Sequence, residues 1–436
     1  MITKRKMQLS TLSASITIVS TLIAANLQAM SLQDVYQLAS QSDPLLQQAA
    51  MRYESSSENI IQAKAALRPT VNGQVKVDWK DSSNTDSSNT KSYSLNLSQP
   101  VYSPALGSAY NKVKIAQQQA KLQYQLSEQD LVLRTLNAYI TAMIAKSDLT
   151  TAQAQERAIQ RRLERVNAEF EVGVIAITDV HEARASYDNT KVNLIISQGQ
   201  LDNSLEALQR LTGKVIQQVD SLKGNYKTSP LSPSNTQHWI DRATTGNLTI
   251  LTGKTSIELS QEDIDIASAS LKPSVDLQAS HSRENNSLQG TRSDNQIALV
   301  LNMPLYNGGS LRSKVRQSMS AQQIEKSKQQ DNIRSITQTT RTLVRDIQTN
   351  VLAITARKQS IVSSKAALDA VSEGFKVGTR NIVDVLQSEQ SLFSAENLYA
   401  TARLNHIKML FNLQFQLGKL DKSDIDELAG WMKTEK

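Results

Sequence analysis

Apolar residues follow two periods along this chain, and in each half the period switches from helical to two and back. Val71, Gly73, Val75, Val77 and Trp79 are apolar or small, while Asn72, Gln74, Lys76, Asp78 and Lys80 between them are polar. That alternation predicts a strand with one apolar face. Tyr93, Leu95, Leu97 and Val101 alternate with Ser94, Asn96 and Ser98, and the pattern returns in Val275, Leu277 and Ala279 and in Ile297, Leu299, Leu301, Met303 and Leu305. Four strands are expected, at about 69–80, 92–102, 273–283 and 295–306, in two hairpins. Their connections, 81–91 and 282–295, are rich in Ser, Asn, Asp and Thr and read as long polar loops.

A helical stretch is expected before each hairpin, at 31–66 and 239–270. Beyond the hairpins, residues 108–172 and 310–373 contain neither Gly nor Pro. The long helices expected there, about 105–172 and 308–374, would each run about 100 Å at 1.5 Å per residue. Ile347, Ile354, Ile361, Leu368 and Phe375 recur every seven residues, as do Leu126, Leu133 and Ile140, with Leu136 and Met143 as the other seam positions. This is coiled-coil spacing. Turns at Gly173 and at Gly374 to Gly378 would lead into return helices at 179–210 and 384–416.

The two halves are copies of one unit. Phe170-Glu171-Val172-Gly173 reappears as Phe375-Lys376-Val377-Gly378, Asp179-Val180 as Asp384-Val385 and Gly213-Lys214 as Gly418-Lys419, all at an offset of 205. Arg68-Pro69-Thr70-Val71 matches Lys272-Pro273-Ser274-Val275, and Pro100-Val101-Tyr102 matches Pro304-Leu305-Tyr306, at an offset of 204. Repeat 1 is assigned to 30–227 and repeat 2 to 228–436. Ahead of them, Lys4-Arg5-Lys6, a diluted apolar stretch and Leu27-Gln28-Ala29 have the order of a signal peptide over residues 1–29.

Composition narrows the function. The 436 residues include no Cys, 8 Pro and 15 Gly, which excludes disulfide scaffolds, thiolate metal sites and thiol nucleophiles and requires long regular elements. The formal charge of +7 falls to +4 without the three N-terminal positives, and the remaining Lys and Arg are interspersed with acids. Nucleic acid is not an expected partner. Nor is catalysis expected. Gly253-Lys254-Thr255 lacks the glycine five positions earlier that a phosphate loop requires, Leu248 standing there, and reads as a polar turn. His181-Glu182 lacks a second His at the helical spacing, and His238, His281 and His406 are dispersed. No cofactor or metal is expected.

Apart from the N-terminal stretch, no segment is apolar for long enough to span a bilayer as a helix, so any crossing must use strands. Four strands cannot close a barrel. An open sheet would leave two edges and an apolar face bare, so the chain must associate. Two copies would give a filled eight-stranded barrel, whereas three give twelve strands and room for a lumen. Trp79 and Tyr93 would lie at the membrane interface.

With these features in place, the chain resembles the TolC family of outer-membrane export ducts. The resemblance is strongest in 170–180, in 377–386 and in Pro304-Leu305-Tyr306-Asn307-Gly308-Gly309. It implies an α+β membrane protein of two structural repeats, forming a homotrimer in which a 12-stranded barrel continues into an α-helical periplasmic tunnel. A mixed equatorial region would draw on 215–238 and 419–436. The implied function is the passive exit duct of a tripartite efflux pump or type I secretion system in a Gram-negative outer membrane, working with a periplasmic adaptor and an inner-membrane transporter. The alternative is a periplasmic coiled-coil adaptor or scaffold without a pore.

The resemblance also assigns residues. Gate ties at the periplasmic mouth carry over to Thr178, Asp179 and Arg380, while Phe375 occupies a position where the family's aromatic hydroxyl would bond and cannot do so. Asp384 would form a ring of carboxylates in the mouth. One helical turn on, where a second acid is common, stands Gln387. Adaptor-docking tips are expected at Val172, Gly173 and Val174 and at Val377, Gly378 and Thr379.

Overall fold

The computed structural model describes residues 29–83, 85–224 and 226–433. All of the expected signal peptide except Ala29 lies outside the described residues. The first half contains α1 (Leu32–Ser42), α2 (Pro44–Ala65), β1 (Thr70–Ser82), β2 (Thr85–Tyr102), α3 (Pro104–Glu171), α4 (Ile177–Thr212) and β3 (Ser221–Leu222). The second contains α5 (Thr236–Gly246), α6 (Leu248–Ala269), β4 (Ser274–Asn286), β5 (Gly290–Asn302), α7 (Ser310–Lys376), α8 (Ile382–Gln416), α9 (Lys422–Gly430) and β6 (Met432–Lys433). No helix among the described residues is long and apolar enough to cross a membrane.

Each helical stretch expected before a hairpin is two helices rather than one. Asp43 caps α2 by accepting the Leu46 amide at 2.8 Å, and Pro44 has no amide to continue α1. Asn247 breaks the second copy at the equivalent place by accepting the Thr249 amide at 2.9 Å. The Gly253-Lys254-Thr255 segment lies inside α6 and is not a turn. A side chain at Gly253 would collide with the Gln329 amide of α7, so this glycine permits a close helix crossing.

The four long strands form one antiparallel sheet in the order β1-β2-β4-β5. The β2–β4 ladder joins the halves, pairing Thr90 with Asn286 and Leu97 with Ala279. The polar segments expected as loops are mostly strand. Thr90 pairs with Asp78, and Asn285 pairs with both Lys91 and Thr291, so hydrogen-bonded ladders continue through sequence that composition marks as irregular. Cross-strand pairing outweighs the weak strand propensity of Ser, Asn and Asp. At the other end β5 stops at Asn302, and Met303 to Tyr306 lie outside the ladder.

One face of this sheet carries Val71, Gly73, Val75, Val77 and Trp79 of β1, Leu97, Leu95 and Tyr93 of β2, Leu277 and Ala279 of β4, and Ile297, Leu299 and Leu301 of β5. Its upper limit runs diagonally. In β1 it reaches Trp79; in β2 it stops at Tyr93, opposite Val75; in β5 it stops at Ile297, opposite Ala279. A band that steps down from strand to strand is level only when the strands tilt, as they do in a barrel.

Helix α3 has 68 residues and α7 has 67, each about 100 Å long, and they fold back along α4 and α8 as two antiparallel hairpins. The heptad positions Ile347 and Ile354 are buried. Gly213 and Gly418 end the return helices in the left-handed region. Around mid-length, α1, α9 and the β3–β6 pair wrap Leu136, Tyr139 and Ile140 of α3 and Leu404, Ile407 and Phe411 of α8. Tyr139 ties this belt together: its hydroxyl donates to the Met30 carbonyl and accepts the Asp220 amide, each at 2.9 Å.

Candidate functional site at the hairpin tips

Both hairpins turn through the same hydrogen-bonded device. In the first, the Gly173 amide donates to the Phe170 carbonyl and the Val174 amide to the Glu169 carbonyl; in the second, Gly378 donates to Phe375 and Thr379 to Gly374. Both glycines sit at positive φ, 76° and 77°. These are Schellman closures, which require a left-handed residue at the position after the cap. Gly374 is part of α7 and not of the turn. A Cβ there would come within 2.8 Å of Arg380 Cγ, so the glycine lets the arginine stem lie on the helix. The tips leave Val172, Val174 and Val377 more than 70% exposed, an apolar surface around two tight turns.

The tips differ in how the next helix starts. Asn381 accepts the Asp384 amide at 2.8 Å, and Asp384 accepts the Asn381 amide at 3.4 Å, a capping box at the start of α8. The matching residue in the first repeat is Ala176, and α4 has no side-chain cap.

Asp179, Phe375 and Arg380 line one cleft of about 730 Å³ between the hairpins, with Arg162, Arg165 and Lys376 supplying further positive charge and Glu169, Asp369 and Glu373 negative. No hydrogen bond or ion pair joins Thr178 or Asp179 to Arg380 among the described residues. Arg380 is 59% exposed, and its nearest acid is Asp384 at 3.9 Å, one turn along its own helix. Gln387 is exposed. Phe375 packs beside Ile382, Val385 and Leu386 in the apolar tip cluster.

A largely buried ion pair between the hairpins lies two to three turns inside the tips. Arg162 of α3 donates to Glu389 of α8 at 2.7 Å, with the side chains only 15% and 10% exposed. Further along, Asn397 of α8 donates to Asp148 of α3 at 2.7 Å. Burial raises the Asp148 carboxyl, and the Asn397 bond acts against it. Sequence reasoning missed both links. A signal existed for the first, because Arg162 follows Ile159 by three residues and Glu389 follows Leu386 by three, so each charge interrupts an apolar helical stripe.

At the opposite end, Trp79 is 76% exposed and Tyr93 stacks obliquely on His281 at 5.9 Å between ring centroids. No group of His, Cys, Asp and Glu that could hold a metal occurs among the described residues.

The outer membrane efflux protein family model matches this chain twice, over residues 35–214 and 239–419. The chain belongs to the outer membrane efflux protein family. Among curated relatives, the outer membrane protein TolC of Escherichia coli is 32% identical over 91% of this chain and 84% of its own length. The alkaline protease secretion protein AprF of Pseudomonas aeruginosa is 24% identical over 92% of this chain and 87% of its own. Among solved structures, the Campylobacter jejuni CmeC outer membrane channel superposes with a TM-score of 0.79 at 14% identity, covering 92% of this chain and 90% of that one. As an outer membrane efflux protein the chain is an exit duct of the Gram-negative outer membrane, a transport protein and not an enzyme.

Proposed function

We propose that three copies of this outer membrane efflux protein assemble into a 12-stranded barrel whose apolar face meets outer-membrane lipid and whose helical hairpins form a tunnel through the periplasm. The observation that carries this reading is the four-stranded sheet. Its edges, β1 and β5, have no further partner strand among the described residues, and its apolar face leaves Val75 and Ile297 each 81% exposed. Neither condition is tolerable for an isolated chain, and closure on neighbouring copies removes the edges. The exposed valines at the tips are the surface we assign to the periplasmic adaptor, with an inner-membrane transporter driving the cargo; the relatives' names, efflux and protease secretion, support such partners.

The charged cleft between the tips is the gate. Asp179, Thr178 and Arg380 meet across it when the mouth is closed, and Asp384 presents its carboxylate to the passing ion. Mass measurement of the detergent-extracted protein, paired with conductance in planar bilayers, tests the assembly. Three copies per particle and a steady pore are expected; a monomeric or dimeric particle that does not conduct would return the chain to the adaptor reading.

A further inference from the structure

The sheet separates its charges. The acids Asp78, Asp276, Glu284 and Asp294 all lie on the polar face, which also carries Lys76, Lys80 and Arg292: Glu284 pairs with Arg292 across the ladder, and Asp78 and Asp294 bond Lys76 and Arg292 at 2.6 and 3.0 Å. On the apolar face of β2, β4 and β5 the charged residues are Lys91 and Arg283, both cationic. Arg283 pairs across the ladder with Tyr93, and Lys91 pairs with Asn285, so the two cations are diagonal neighbours on one face, at backbone positions about 7–8 Å apart. Both are exposed, and neither has a carboxylate partner among the described residues. The nearest acid on this side, Asp81, lies at the hairpin end of β1 and accepts the Ser87 hydroxyl at 2.6 Å.

Beneath this pair the face is hollow. Ala279, with Gly73 one row above it, leaves a shallow trough of about 560 Å³, walled by Val71, Leu95, Leu97 and Ile297. At its upper end the His281 ring bonds the Asn295 side chain at 2.7 Å. An apolar trough with two unpaired cations above it, at the edge of a lipid-facing band, matches the shape and charge of a lipid with a phosphorylated headgroup.

We propose that Lys91 and Arg283 clamp the headgroup phosphate of an outer-leaflet lipid whose acyl chain lies in the trough. Two like charges this close repel one another until an anion lies between them, and Arg and Lys at the aromatic level supply charge-assisted donors to phosphate oxygens. The hairpin ends point away from the periplasmic helices, so the clamp faces the outer leaflet. This inference rests on the barrel reading above.

The test uses the full chain in delipidated detergent solution, incubated with diphosphorylated lipid A and passed through gel filtration, with lipid phosphorus per protein as the readout. The double variant K91Q/R283Q is expected to retain about tenfold less lipid, a loss of about 1.4 kcal/mol. The polar-face variant K76Q/R292Q should retain as much as the unmodified chain. Equal retention by K91Q/R283Q, or inorganic phosphate binding as tightly as lipid A, would overturn the proposal. Conductance of the same preparations separates the two readings: a preparation that conducts but shows no selective retention refutes the clamp alone, whereas a wild-type preparation that never conducts refutes the barrel.

Discussion

Glu389 accepts a 2.7 Å hydrogen bond from Arg162 across the boundary between the two repeats, near the tips of both hairpins. Each partner has a second polar atom without a bond, Arg162 Nε and Glu389 Oε2, so the pair is incompletely satisfied. Removing one member of such a buried pair costs about 3–5 kcal/mol, whereas replacing both with apolar residues is close to neutral. E389Q should therefore loosen the hairpins and raise resting conductance, while R162M/E389L should restore thermal stability. Single-channel recording and thermal melts check this; unaltered conductance in E389Q would remove the pair from the gate.

Asp384 completes the capping box of α8, and in the proposed gate it also faces the passing ion; substitution separates the two. D384A removes both the charge and the half of the capping box in which the carboxylate accepts the Asn381 backbone amide. D384N retains a side-chain oxygen in the same place and loses only the charge. Both variants should shift the reversal potential away from cation preference, and only D384A should lower the melting temperature. A reversal potential that stays put in D384N would show that the carboxylate does not face the conducting path.

Gly374 to Ala should disturb the second tip. The new methyl would meet Arg380 Cγ at 2.8 Å and Thr379 Oγ1 at 3.2 Å, displacing the arginine stem from α7. Overpacking of this kind costs about 1–3 kcal/mol. Resting conductance should rise, and R380S, which removes the arginine altogether, should raise it as well. If G374A conducts like the unmodified protein, the seat of Arg380 has no part in closure.

His406 makes stability fall in acid. The ring is fully buried in α8, neither nitrogen has a partner among the described residues, and Lys223, Lys227 and Glu427 line the adjoining cavity. Burial lowers its pKa below the ordinary 6.5, so the unfolded chain binds a proton that the folded chain refuses. Stability from this group is complete above pH 6.5 and declines as pH falls below it, by about 1.4 kcal/mol per unit until the folded pKa is reached. H406F should flatten the melting profile between pH 5 and about 7; a profile as steep as the original would rule out the histidine as its source.

Asp43 acts at lower pH. Burial alone would raise its carboxyl, but hydrogen bonds from Arg134 and the Leu46 amide hold it below the usual 3.8. Its contribution is complete above pH 3.8 and disappears as pH falls through the depressed value. R134A, which leaves a buried carboxylate unpaired, should cost about 3 kcal/mol at neutral pH and less in strong acid. A cost independent of pH would show that Arg134 acts by packing alone.

The repeat architecture was legible because its signals are periodic: alternation around Val75 and Ile297, heptads through Ile347 and Ile354, and Gly173 echoed by Gly378. Strand ends were not, since Asp81 to Lys91 is polar enough to suggest a loop and the ladders against β1 and β4 keep Ser88 to Lys91 extended. Breaks at Asp43 and Asn247 depend on caps whose effect is local. Of the four residues expected as gate ties, Asp179, Phe375 and Arg380 line one cleft and Thr178 is not among its lining residues, while Arg162 and Glu389 could not be located from sequence. Two charges 227 residues apart carry no mutual signal until two helices from different repeats cross.

One substitution between the repeats makes the two tips mechanically unequal. Where the second tip has Asn381 fastening the first turn of α8, the first has Ala176, whose methyl fastens nothing, so no side chain holds the opening amides of α4 and the Asp179 amide donates to the Ala176 carbonyl at 3.1 Å instead. The first hairpin should therefore unravel from its tip more readily, exchanging those amides for deuterium sooner. Duplication supplied two hinges of one pattern, and the missing amide side chain makes one of them the leaf and the other the post.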